Sequence, residues 1–290
     1  MYRKIIAATA IIAGLIIAGS YINSAVTGQE EASTVKVADA KTELAPGDSH
    51  PIDPAIKLAM EGRGRCVKEI TDYTATLVRR ERVDGQLKDY EYIFTKVRNR
   101  HLNEGSNIPF SCYMYFLKPG AVKGRELIYI EGQNDGKFCV HEGGAGGVLP
   151  NLWLAPDGPL AMKGQRYPMT KFGIQNLIDQ MIDRAKKDRK HKECKVTFRK
   201  GAEINQRKCT LIQVQHPVRR PYFDFHVAQI FIDDELKLPV RYAAYDWPTA
   251  EGARPQLLEE YTYVNIEVNV GLENVDFDPK NQNYNFNKKK

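Results

Sequence analysis

A period of two governs the chain from Tyr73 onward, and tight turn signals cut it into short runs. Tyr73, Ala75, Leu77 and Arg79 share one side of the first run and Thr74, Thr76 and Val78 the other, up to Val83 and the hairpin signal Asp84-Gly85. Further runs at 87–97, 108–117, 124–131 and 137–141 are separated by a loop at 98–107, by Lys118-Pro119-Gly120 and by Asn134-Asp135-Gly136. Connections this short make neighbouring strands antiparallel, because parallel neighbours need crossovers of about a dozen residues or more. Runs at 195–199, 208–215, 224–232, 240–246 and 257–268, with Asp233-Asp234-Glu235 turning the middle pair, bring the expectation to about ten strands.

Two segments depart from that period. Residues 51–72 set Ile56, Ala59, Met60, Cys66, Val67 and Ile70 at near-helical spacing, with Asp53-Pro54 as N-cap and first-turn proline. Residues 170–189 align Phe172, Ile174, Leu177, Ile178, Met181 and Ile182 on one stripe, opposite Asp179, Asp183 and Lys186. The predicted class is α+β: a curved antiparallel sheet, an incomplete β-barrel of about ten strands, wrapped around two main helices. The glycine-rich stretch 143–158 holds Trp153 and exceeds a simple hairpin loop, so it reads as a cover over an opening.

Arg3 and Lys4 precede an apolar run from Ile5 to Gly19, and polar residues follow, which is the layout of an export leader. Residues 1–25 read as a signal peptide or a retained N-terminal anchor, 26–50 as a flexible tether, 51–286 as one domain and 287–290 as a basic tail. The expected location is the periplasm or cell envelope. Of the net charge of +6, Arg3, Lys4 and Lys288 to Lys290 account for five, so the body is near balance. A nucleic-acid surface needs concentrated positive charge, and this body has none. The terminal charges leave peripheral or N-terminal membrane association open.

Cys66, Cys112, Cys139, Cys194 and Cys209 lie far apart, without the paired spacing of a structural zinc site. Small buried hydrophobes and a Cys194–Cys209 disulfide are both open readings. In Arg79-Arg80-Glu81-Arg82, alternation puts Arg79 and Glu81 on one face, and cross-strand ion pairs on a solvated surface are the expected role. The six histidines form no HExxH or HxH pair, Ser106 and Ser111 lack a GxSxG context, and no glycine cluster opens a helix as a P-loop does. Glu259 and Glu260 point to opposite faces of a strand and cannot act together as acid and base. No catalytic residue, metal or cofactor is expected; a hydrolase would need His141, His216 or His226 to meet an acid in the fold.

Large apolar side chains recur on the strands, and a curved sheet that holds them can leave a lined cavity. Tyr113, Tyr115, Ile128, Trp153, Phe225, Phe231 and Tyr242 are the candidate ligand-binding residues.

The stretches YTATLVRRERVDGQL, KGRELIYIEGQNDGK, GPLAMKGQRYP and IFIDDELKLPVRYAAYDWP, with EEYTYVNIEVNVGLENVDFDP, resemble the bacterial exported domain-of-unknown-function family 1571. The likeness covers nearly everything from Pro51 to Phe286. More distantly, Tyr73-Thr74-Ala75, the Phe231 to Arg241 strand pair and the Asn274 to Asp278 segment resemble the lipoprotein-carrier fold of the LolA, LolB and RseB group. That resemblance implies a LolA-like incomplete barrel around helices, with an apolar cavity for a lipid or lipoprotein acyl chain. It carries no catalytic residue, and the lipobox cysteine of a lipidated form is missing after the leader. Its RseB-like side implies the alternative: an envelope sensor or interaction module whose sheet meets a protein partner.

Overall fold

The alternating runs become the strands of one antiparallel sheet. A computed structural model describes residues 35–36, 50–103, 106–144, 147 and 149–287. The expected leader, nearly all of the tether and residues 288–290 of the tail lie outside the described residues. In chain order the elements begin with β1 (Val35–Lys36), α1 (Asp53–Lys68), β2 (Asp72–Val83), β3 (Gln86–Leu87), β4 (Glu91–Arg98), β5 (His101–Asn103) and β6 (Ser106–Ile108). They continue with β7 (Ser111–Lys118), β8 (Glu126–Ile130), β9 (Phe138–His141), β10 (Leu152–Leu154), α2 (Pro159–Met162) and α3 (Ile174–Asp188). The last five strands are β11 (Lys195–Ile204), β12 (Arg207–Gln215), β13 (Val227–Asp233), β14 (Pro239–Tyr245) and β15 (Leu257–Val268).

The sheet runs β1-β11-β12-β13-β14-β15-β2-β4-β7-β8-β9-β10, with β3 added to β2, while β5 and β6 form a hairpin of their own. Its ends, β1 and β10, do not meet, so the barrel stays open. The early and late halves of the chain join where β15 pairs with β2, from Glu259 opposite Glu81 to Val268 opposite Tyr73.

The concave face packs on α3, whose Ile174, Ile178 and Ile182 recur every fourth residue and are all buried. They meet Tyr73, Ala75 and Leu77 of β2 and Ile93 and Val97 of β4 in the main core. Burying an aliphatic side chain of this size contributes about 1.5–3 kcal/mol, so this stripe fixes the helix on the sheet. The convex face is covered over β7, β8 and β9 by the C-terminal segment, where Phe277, Tyr284 and Phe286 pack on Tyr113, Ile128 and Cys139. The Tyr113 and Tyr284 rings stack at 4.0 Å.

The α+β class, the open sheet and the two main helices are as expected, and β-strand content exceeds expectation because several connections pair. The run at 87–97 splits into β3 and β4, since Lys88 turns back to bond the Glu81 carbonyl. Residues 98–107 hold most of the β5–β6 hairpin, and 143–158 contain β10, which pairs with β9. Asp84 and Gly85 take φ of 50° and 76°, the left-handed pair that a two-residue hairpin needs. The N-cap of α1 is Ile52, while Asp53 stands inside the helix and its carboxylate accepts from the His50 N–H at 3.2 Å. All five cysteines are free and buried: Cys194 and Cys209 belong to separate packing clusters, which rules out the bridge between them.

Candidate functional site

On β2, the inward-facing side chains run from apolar to charged: Tyr73, Ala75 and Leu77, then Arg79 and Glu81. On β15 the inward set is Tyr263, Tyr261 and Glu259, and the register sets these opposite Leu77, Arg79 and Glu81. The paired strands therefore form a wall that is apolar at one end and charged at the other.

Above this wall lies a cavity of about 320 Å³, near the lower end of the roughly 300–1,000 Å³ typical of small-molecule sites. Phe116, Leu127, Val140 and Leu154 of the sheet and Leu177 and Met181 of α3 give it apolar walls. Its roof is the strap 156–172, which contains α2 and contributes Leu160, Ala161, Met169 and Phe172. The strap meets α3 at Gly173, whose φ of 97° is open to glycine and costly to other residues. A Cβ there would stand 3.2 Å from Phe110 Cε2, beside the Tyr73 hydroxyl that accepts from the Ile174 N–H at 2.9 Å.

The charged end pins the strap down. Glu81 and Glu259 face each other across the β2–β15 pair, an arrangement that two bare carboxylates would destabilise. Arg166 of the strap resolves it: its backbone N–H donates to Glu81 at 3.0 Å and its guanidinium pairs with Glu259 at 2.8 Å. Tyr261 donates to Glu81 at 2.6 Å, and Tyr167 of the strap donates to Glu259 at 3.1 Å. From α3, Arg184 donates to Tyr167 at 2.6 Å, to Tyr242 at 2.8 Å and to Glu259 at 3.3 Å. Arg79 completes the network by donating to Glu91 at 2.6 Å and to Gln165 of the strap at 2.8 Å.

Burial, then the negative field of Glu259, raises the phenols of Tyr242 and Tyr167 above the ordinary tyrosine range, so both stay neutral, Tyr167 donating to Glu259 and Tyr242 accepting from Arg184. For Arg79, burial works against the charge, but Glu91 and Glu81 outweigh it and the guanidinium is held more firmly protonated. Arg79, Arg166 and Arg184 thus face Glu81, Glu91 and Glu259 in a balanced network whose work is structural closure.

Of the seven candidate residues, Tyr242 alone lines this cavity. With Phe225 it also lines a smaller one of about 70 Å³ between the helices and the second half of the sheet. Tyr113, Tyr115 and Ile128 sit on the convex face, under or beside the C-terminal segment. Phe231 packs with Cys209 and Leu211 in a separate small core. Trp153 alternates outward on β10, where it is 44% exposed, while its neighbours Leu152 and Leu154 turn into the cavity. The strap 156–172 forms the roof, and the expected cover 143–158 adds Leu152, Leu154 and Pro156 to the lining. Arg79 and Glu81, expected on a solvated surface, face the interior instead.

The histidines stand apart from the cavity. His141 meets Asn151 at 2.9 Å, His216 meets the Phe225 carbonyl at 2.9 Å and also an acid, the buried Asp188, at 3.3 Å, and His226 meets the His216 carbonyl at 2.8 Å. Among the described residues no three His, Cys, Asp or Glu side chains converge as a metal site, and no helix is long and apolar enough to cross a membrane.

Comparison with solved structures finds distant likenesses. A DUF1329 family protein from Desulfovibrio piger shares 14% identity at a TM-score of 0.40, over 79% of this chain and 98% of that one. A putative outer membrane lipoprotein-sorting protein domain from Vibrio parahaemolyticus shares 11% at 0.37, over 77% and 95%. A LolA superfamily protein from Nitrosomonas europaea shares 8% at 0.31, over 77% and 97%. No curated protein matches the chain. The model of one family, described as "Protein of unknown function (DUF1571)", matches residues 70–286, and the chain belongs to that family.

Proposed function

We propose that the protein is an exported, non-enzymatic binding protein of the cell envelope that holds an apolar ligand, a lipid or lipoprotein acyl chain, between its sheet and its strap. The observation that carries this reading is the roofed cavity itself, with apolar walls from sheet, helix and strap and a charged end already satisfied by internal partners. Binding would draw on about 25 cal/mol for each Å² of apolar surface removed from water, less the cost of association. The leader-like residues 1–25 support export.

The test is saturable uptake of a fluorescent long-chain fatty acid by the full chain in vesicle-free buffer. Ala161→Trp, which fills the cavity from the strap, is expected to weaken uptake at least tenfold, estimated from the apolar surface displaced. Tyr115→Glu, on the convex face, is expected to leave it unchanged. Absence of saturable uptake by the wild-type chain would overturn the proposal.

A further inference from the structure

The opening of the cavity has a composition of its own. Leu160 on the strap and Leu152 on the edge strand β10 both line the cavity and are 61% and 38% exposed. Next to Leu152, Trp153 presents its indole to solvent. Lys163 and Lys171 line the same cavity, are exposed, and have no ion-pair partner among the described residues.

The acidic groups nearby do not offset them. Glu142 is held by Arg125 at 2.9 Å, and Glu81 and Glu259 are committed to Arg166, Tyr261 and Tyr167. Asp157 is the single carboxylate on the strap, against Lys163, Arg166 and Lys171. With Arg166 turned inward, the rim presents two free ammonium groups beside exposed leucine and tryptophan.

We infer that this rim docks on the surface of an anionic lipid bilayer, with Lys163 and Lys171 among the headgroups and Trp153, Leu152 and Leu160 at the boundary with the acyl chains. Charge complementarity selects an anionic surface over a neutral one. An amphipathic indole next to an exposed leucine on the edge strand suits the headgroup level of a bilayer. The inference rests on the carrier reading and deepens it: the opening that meets the bilayer is the mouth of the cavity, so an acyl chain would pass between them without crossing water.

The experiment follows tryptophan fluorescence of the full chain with vesicles whose acyl chains carry bromine as a quencher. Equimolar phosphatidylglycerol and phosphatidylcholine are compared with phosphatidylcholine alone. Quenching is expected in the anionic vesicles, and its loss in Trp153→Phe assigns it to Trp153 and separates it from Trp247. Lys163→Glu with Lys171→Glu, both exposed and unpaired, is expected to weaken the anionic binding by more than roughly 25-fold, about fivefold for each positive charge removed and further for each negative charge introduced.

Quenching that is equal in neutral vesicles and unmoved by the charge reversal would overturn the inference, as would an unquenched Trp153. Because fatty-acid uptake is read without vesicles, docking without uptake would sink the carrier reading alone. Uptake without docking would sink this one alone.

Discussion

Each of the five thiols is kept protonated by its surroundings. Burial, helped by Asp179, pushes Cys66 up to about 12 from 9.0, and burial with Asp233 pushes Cys209 up to about 12. Burial likewise pushes Cys139 and Cys194 up to about 11. Above pH 9 an unfolded chain releases protons that the folded chain keeps, so this stabilisation is full below pH 9 and is lost as pH rises toward 12. The buried phenols of Tyr73 and Tyr242, raised chiefly by burial, act in the same direction. Urea midpoints are therefore expected to fall steadily from pH 9 to 11, and a thiol reagent at pH 8 should label no cysteine before denaturant and all five after it. A midpoint that rises over that range contradicts this account. At this scale the sequence is legible only in part. In β7 both faces are apolar, Cys112, Met114 and Phe116 on one and Tyr113 and Tyr115 on the other, so alternation alone does not tell inside from outside. The C-terminal segment covers the second face and removes the polar signal that would mark it. Arg79 and Glu81 mislead in the opposite sense: charge reads as surface until Arg166, Tyr261 and Gln165 are seen to reach them.

Among the elements, α1, α3 and the long strands could be read from period and turn signals, because each carries its own apolar face. The strap could not. It has one four-residue helix and no period, and it is held by side chains whose partners lie on distant strands. Its anchorage has a measurable consequence. Arg166→Ala removes the guanidinium from a nearly fully buried Glu259, which keeps Arg184 and Tyr167. The expected loss is about 1–3 kcal/mol, with faster proteolytic cleavage inside 156–172 than elsewhere in the native chain. Gly173→Ala should cost about 1–2 kcal/mol, from its positive φ and the approach to Phe110, and equilibrium denaturation measures both. An unchanged cleavage pattern in Arg166→Ala would show that the strap is held by its apolar contacts instead.

For the whole molecule, the class and the two-helix plan follow from local signals, whereas the order of strands does not. Nothing near Tyr73 announces that its neighbour is Val268. The cover of the convex face is equally remote, since the segment that closes over β7, β8 and β9 is the last one described. A chain ending at residue 273 is expected to uncover Cys139, so that one added thiol reacts at pH 8 while the other four stay protected. It should also bind more of a hydrophobic dye than the full chain does. Failure of Cys139 to react would show that the sheet seals that face unaided.

The meeting of β2 with β15 also sets a condition on synthesis. β2 is a twelve-residue strand, and until residues 257–268 have been made one of its edges has no partner. A growing chain thus carries an unpaired template for most of its production, and bare edges of that length recruit whatever strand arrives first. The expected by-product of stalled or crowded production is a strand-exchanged pair, in which the last strand of one molecule fills the berth beside the second strand of another.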